Sequence, residues 1–98
     1  MKIYKYPLEV VPVQKVELPL RSDIIAAQNQ DNELYIWAIV NPSNPPSIKE
    51  IHIVGTGFEF DDQPLIYIDT VQIGRLVWHV FERRELDSIS MPALFQAV

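Results

Sequence analysis

The sequence has 98 residues, 48% of them hydrophobic and 10% aromatic, with no cysteine and a formal net charge of -5 from eight Lys and Arg against thirteen Asp and Glu. That length is one domain's worth, and the composition excludes a disordered segment and a disulfide-stapled fold. The acidic balance argues against a duplex nucleic-acid partner, which selects a basic face.

The start, Met1-Lys2-Ile3-Tyr4-Lys5-Tyr6, has no apolar stretch long enough for a signal peptide. No apolar run approaches the ~20 residues of a membrane span, so no membrane partner is expected and the expected location is the cytoplasm. Ile3 to Tyr6 reads as a short strand stopped by Pro7, and Gln14 to Leu18 as a half-exposed strand ended by Pro19. Asp23 to Gln30 and Glu33 to Asn41 read as the arms of a β-hairpin. Asp31-Asn32 between them is a two-residue turn whose residue types tolerate left-handed backbone.

The second arm, Leu34 to Val40, is apolar on both faces, which marks a central strand covered above and below by a second sheet or a second subunit. Asn41 to Ser47 is the strongest loop signal. Ile48 to Thr56 follows as a strand ending at Gly55-Thr56-Gly57, and Phe58 to Pro64 as an acidic loop. Leu65 to Ile73 and Arg75 to Arg83 are two more strands joined tightly around Gly74. Ser90 to Ala97 combines an N-cap serine, an early proline and helix formers, and reads as a short C-terminal helix or a frayed end. The expected fold is all-β and mainly antiparallel: a small sandwich or partly open barrel of about seven short strands. Residues 1–83 form its single domain and 84–98 a C-terminal extension.

Several runs, in order along the chain, carry a resemblance: Met1 to Leu8, Gln28-Asn29-Gln30, Leu34 with Trp37-Ala38, Ile51 with Ile53-Val54-Gly55-Thr56-Gly57, Tyr67-Ile68 with Thr70-Val71-Gln72, and Leu76-Val77-Trp78-His79-Val80-Phe81-Glu82. Together they resemble a family of small proteins of phages and prophages, over residues 1 to about 82. The tail from Arg83 lies beyond the family's usual end. The family often has an extra glycine before the last strand, where this sequence has only Gly74. Small phage proteins of this kind include sponges, oligomers that bind the cyclic nucleotide alarm signals of bacterial defence systems such as CBASS. The resemblance implies a phage immune-evasion protein of the host bacterial cytoplasm. It would be a homo-oligomer, dimer or tetramer, that sequesters a cyclic dinucleotide or related small nucleotide without degrading it and needs no cofactor or metal. The alternative is a protein-binding module, a virion accessory or an inhibitor of a host protein, with exposed edge strands and an apolar tail at Leu94, Phe95 and Val98.

The candidate ligand residues are Gln28, Tyr35, Trp37, Thr56, Gly57, Gln72, Arg75 and His79. Tyr35 and Trp37 share a face of the central strand with Ile39, and Gln28 lies in the neighbouring arm. An aromatic beside an amide suits a nucleobase, although strand aromatics also serve as core or interface. Gly55-Thr56-Gly57 is either a backbone nest for a phosphate, with the Thr56 hydroxyl added, or a strand-ending turn. Arg75, Arg83 and Arg84 offer a guanidinium fork or are the solvated ends of a hairpin. His79 shares its strand face with Arg75, Val77 and Phe81, and serves structure or a ligand. Gln72 enters through the resembling run Thr70-Val71-Gln72.

Glu59, Asp61 and Asp62 lack the spacing of an EF-hand and read as a solvated loop. His52 and His79 lack the spacing of a helical zinc pair. The sequence has no Gly-x-Ser-x-Gly elbow and no cysteine nucleophile, so binding rather than catalysis is expected.

Overall fold

A computed structural model describes residues 1–84. It contains seven strands: β1 (Lys2–Leu8), β2 (Val13–Pro19), β3 (Asp23–Gln30), β4 (Glu33–Val40), β5 (Pro46–Gly55), β6 (Leu65–Ile73) and β7 (Leu76–Arg83). They form two antiparallel sheets, one ordered β1-β4-β3 and the other β2-β5-β7-β6. The fold is therefore all-β, as expected, with no helix and no closed barrel among the described residues. The expected helix at Ser90 to Ala97 lies outside the described residues.

Turn chemistry explains both hairpins. Asp31 and Asn32 take φ of 57° and 66°, the left-handed pair that a two-residue hairpin loop of type I′ needs. Gly74 takes φ of 61° at the first of the two loop residues between Ile73 and Leu76. Glycine serves there because a side chain strains that backbone. Pro7 does not stop β1, which runs on to Leu8 with Pro7 opposite Tyr35. β1 is an edge strand with a ladder on one side only, and proline is tolerated at that place.

The alternation of β4 sets the core. Leu34, Ile36, Ala38 and Val40 are fully buried and point at the other sheet. They meet Ile51 and Ile53 of β5, Val71 of β6, Val80 of β7, Leu18 of β2 and Ala27 of β3 in two adjoining clusters. Tyr35, Trp37 and Ile39 point the other way and are half-buried on the outer face of the three-stranded sheet. β4 is thus central, as expected. Its second face receives no second layer among the described residues.

The two sheets also touch along one side. β3 and β6 lie next to each other and run the same way, with Ala27 beside Asp69 and Asn29 beside Gln72. Side chains make this seam: the Ala27 N–H donates to Asp69 Oδ2 at 3.2 Å, Gln28 Nε2 donates to the same oxygen at 3.1 Å, and Asn29 Nδ2 donates to the Gln72 carbonyl at 3.1 Å. The free edge of β3 is capped in this way without a full backbone ladder, which tames an otherwise exposed edge.

Candidate functional site

The outer face of the four-stranded sheet concentrates the chemistry. Register places His79 opposite Thr70 on one side and Val54 on the other. One pair further along, Phe81 lies between Tyr67 and His52. Tyr67 and Thr70 would alternate to opposite faces in a regular strand. The irregularity between Tyr67 and Asp69 puts both on this face, the effect of an extra residue in a bulge.

These residues form a continuous hydrogen-bonded chain. Tyr67 Oη lies 2.6 Å from Thr70 Oγ1, Thr70 Oγ1 3.1 Å from His79 Nδ1, and His79 Nε2 2.8 Å from Thr56 Oγ1. Thr56 Oγ1 in turn reaches the Val77 carbonyl at 3.5 Å. A carbonyl only accepts, so the order that uses every contact has Tyr67 donating to Thr70 and Thr70 to Nδ1. Nε2–H then donates to Thr56, and Thr56 to Val77. In the opposite tautomer every arrow up to Tyr67 reverses, and the phenol O–H is released to point outward as a donor.

Beside this chain stand three rings. Phe60 stacks on Phe81 with centroids 5.9 Å apart, and Tyr67 meets Phe81 edge-on at 5.8 Å. Phe60 and Tyr67 are both 57% exposed, which leaves two aromatic faces open to solvent. A π-face next to hydroxyl and imidazole groups can hold a flat ring by stacking and an attached polar group by hydrogen bonds.

A second histidine sits on the same face. His52 is buried, with 8% of its side chain exposed, and Nε2 lies 2.7 Å from Glu50 Oε2. Arg83 holds that carboxylate from 3.9 Å and donates to Gln63 Oε1 at 2.9 Å. His52 borders a cavity of about 290 Å³ at the 58–63 loop, lined also by Pro12, Val13, Val54 and Phe60 and by the exposed acids Glu59 and Asp61.

The structure separates the eight sequence candidates into groups. Thr56, Gln72 and His79 share the outer face of the four-stranded sheet, and Thr56 and His79 touch. Gln72 spends its Nε2 on the Gly74 carbonyl at 3.1 Å. Arg75 is exposed in the β6–β7 turn at the end of that face. Tyr35 and Trp37 stand on the opposite outer face, in tilted contact at 6.1 Å, with Lys5 Nζ 4.5 Å above the Tyr35 ring. Gln28 belongs to the seam with Asp69. A single chain therefore does not bring the whole set to one surface: Gln28, Tyr35 and Trp37 lie apart from the rest.

The glycine motif behaves as a turn. Gly57 has φ of 86°, and the Phe58 N–H donates to the Gly55 carbonyl at 3.0 Å. The Thr56 N–H is spent on Val77 at 3.2 Å. With those donors committed, the Thr56 hydroxyl rather than a backbone nest is what the motif presents.

The candidate ligand residues read from the sequence did not include Tyr67, Thr70, Phe60, Phe81 or His52. The aromatic spacing in Phe58-Glu59-Phe60 was a usable signal, whereas the bulge that pairs Tyr67 with Thr70 left no obvious mark. No group of three or more potential metal ligands occurs among the described residues, and no helix there is long and apolar enough to cross a membrane.

No curated protein and no solved structure matches this chain. One family does, over residues 1–90, nearly the whole sequence. The chain accordingly belongs to the domain of unknown function DUF7352.

Proposed function

We propose that this protein binds a small nucleotide signal on the outer face of its four-stranded sheet and sequesters it intact. The ligand class is a cyclic dinucleotide or a related cyclic nucleotide. The observation that carries the reading is the Tyr67–Thr70–His79–Thr56 chain lying beside the open faces of Phe60 and Tyr67. The rings offer a platform for a base. Reversal of the tautomer turns the Tyr67 O–H toward a phosphate oxygen, and Arg75 in the adjoining turn offers a guanidinium fork.

At His79 the geometry fits binding better than turnover. A general base needs its second ring nitrogen oriented by a group that stabilises the imidazolium, commonly a carboxylate. His79 has neutral hydroxyls on both nitrogens. The resemblance to phage sponge proteins adds the biological setting: immune evasion in the host bacterial cytoplasm, by withholding a messenger from its effector. In the same reading the protein is a dimer or tetramer. The outer face formed by Tyr35, Trp37 and Ile39, which receives no second layer among the described residues, is the surface a second copy would cover.

The test is a panel of cyclic dinucleotides and cyclic ADP-ribose isomers, read by calorimetry and thermal shift, with the ligand recovered after denaturation. A true ligand at a hundredfold excess over its Kd adds ~2.7 kcal/mol of stability and is recovered unchanged. Absence of heat and shift with every member rejects the reading, and recovery of a cleaved product converts it to an enzyme. Light scattering should give a mass above that of one chain.

A further inference from the structure

His52 leaves a functional group unaccounted for. Its Nε2 faces a carboxylate, which accepts hydrogen bonds and cannot donate when ionised, so the proton of the neutral ring resides on Nε2. Nδ1 is then an acceptor. Among the described residues nothing donates to it, although the side chain is more than nine-tenths buried. Buried polar atoms are rarely left unpaired, and those that are deserve a cause. Here the ring borders the cavity beneath Phe60, so a guest is the natural partner.

The chemistry of the walls narrows the guest. Phe60, Pro12, Val13 and Val54 favour something flat and apolar in its faces. The exposed carboxylates of Glu59 and Asp61 in the lining repel a phosphate and favour a group with positive hydrogens. At about 290 Å³ the space lies at the small end of ligand pockets, enough for one ring system and too little for a dinucleotide.

We propose that this cavity is a subsite for an amino-bearing heteroaromatic ring, of the adenine or cytosine kind, whose N–H donates to Nδ1 of His52 while Phe60 covers its face. The subsite rests on the nucleotide reading above and divides the labour within it. The base enters beside His52, and the phosphates stay outside, toward Thr56, His79 and Arg75. Glu50 and Arg83 act as positioning residues: they hold the His52 tautomer that accepts.

The experiment uses the full chain with adenosine and with purine riboside, which differs only in lacking the amino group. Imidazole ¹⁵N correlation spectra report each histidine separately. Adenosine should move the His52 Nδ1 resonance and bind at least tenfold more tightly than purine riboside. His52→Leu should erase that difference. Phe60→Ala, which removes a 57% exposed ring and its stack on Phe81, should weaken adenosine several-fold while the chain still folds with a modest loss of Tm, and it stands as the control if His52→Leu does not fold.

Equal affinity for the two nucleosides, or an unmoved His52 signal at saturation, overturns the subsite. If a cyclic dinucleotide still moves the His79 signal in that case, the nucleotide reading survives and only the subsite falls. If no nucleotide or nucleoside moves either histidine, both fall.

Discussion

Asp69 Oδ2 accepts from the backbone N–H of Ala27 across the seam between the two sheets, at 3.2 Å. One carboxylate oxygen also takes Gln28 Nε2 at 3.1 Å, while the other takes the N–H of Thr70 at 2.9 Å. Asp69 therefore ties the edge of β3 to the bulge that brings Thr70 to the binding face. Replacement by alanine strands a partly buried donor, a loss of about 1–3 kcal/mol. Asp69→Ala should lower the urea midpoint accordingly and speed hydrogen exchange at Ala27 by a factor that global unfolding does not explain. An unchanged Ala27 exchange rate would show that the seam holds without it.

His79 is the centre of the hydroxyl chain, and its contribution should appear in binding rather than folding, because the ring is partly exposed. His79→Ala and Thr70→Val are expected to weaken a cyclic dinucleotide ligand about tenfold or more, corresponding to the ~1.4 kcal/mol of one good hydrogen bond. Titration calorimetry on variants of unchanged Tm checks this. Trp37→Ala, on the opposite face, should leave the intrinsic affinity of the site alone and act on assembly.

Gly55 is confined by packing. A Cβ there would come within 3.0 Å of Trp78 Cζ3 and 3.3 Å of Phe58 Cδ1. Gly55→Ala forces both rings to move, at about 1–3 kcal/mol for overpacking. At Gly57 the space is open but φ is 86°, so Gly57→Ala suffers only from backbone strain, about 1–2 kcal/mol. Denaturant titration should show both losses. Only Gly55→Ala should alter the near-ultraviolet signal of Trp78.

Tyr6 gives the protein an alkaline weak point. Burial against both core clusters raises its phenol above the ordinary value of 10.0, and the neighbouring Tyr4 adds to the rise. Below pH 10 both folded and unfolded chains hold the proton, and its contribution is fully present. As pH climbs past 10 the unfolded chain ionises first, which favours unfolding, so stability falls until the folded phenol also titrates. Tyr6→Phe should flatten the decline of Tm with pH in that window, and a wild-type slope in the variant would assign the decline elsewhere.

The strand pattern was legible where local chemistry decides it. Asp31-Asn32 and Gly74 announced their hairpins because few residues adopt positive φ, and the doubly apolar Leu34 to Val40 announced a central strand. The prolines misled at the margins: Pro7 and Pro46 lie inside strands because edge and terminal positions tolerate them. The site was legible only in part. Alternation placed His79 with Phe81 on one face of β7, as observed. It could not place Tyr67 with Thr70, because a bulge overrides the two-residue period. Nor could it show that Trp37 and His79 stand on opposite sides, since that follows from which sheet each strand joins.

The interleaved order of the strands has a consequence for how the protein is made. β3–β4 and β6–β7 are neighbours in sequence and can zip as soon as they are synthesised. β1 and β2 cannot: Lys2 pairs with Val40 and Val13 with His52, so both early strands wait for some forty later residues before a partner exists. The slow step of folding should then be the docking of the N-terminal segment, β1 onto the β3–β4 hairpin and β2 onto β5 once β5 has joined the β6–β7 hairpin, a step governed by loop closure. Until it happens, the nascent chain carries Leu8, Val16 and Leu18 uncovered, and a chaperone that captures short apolar segments would meet those first.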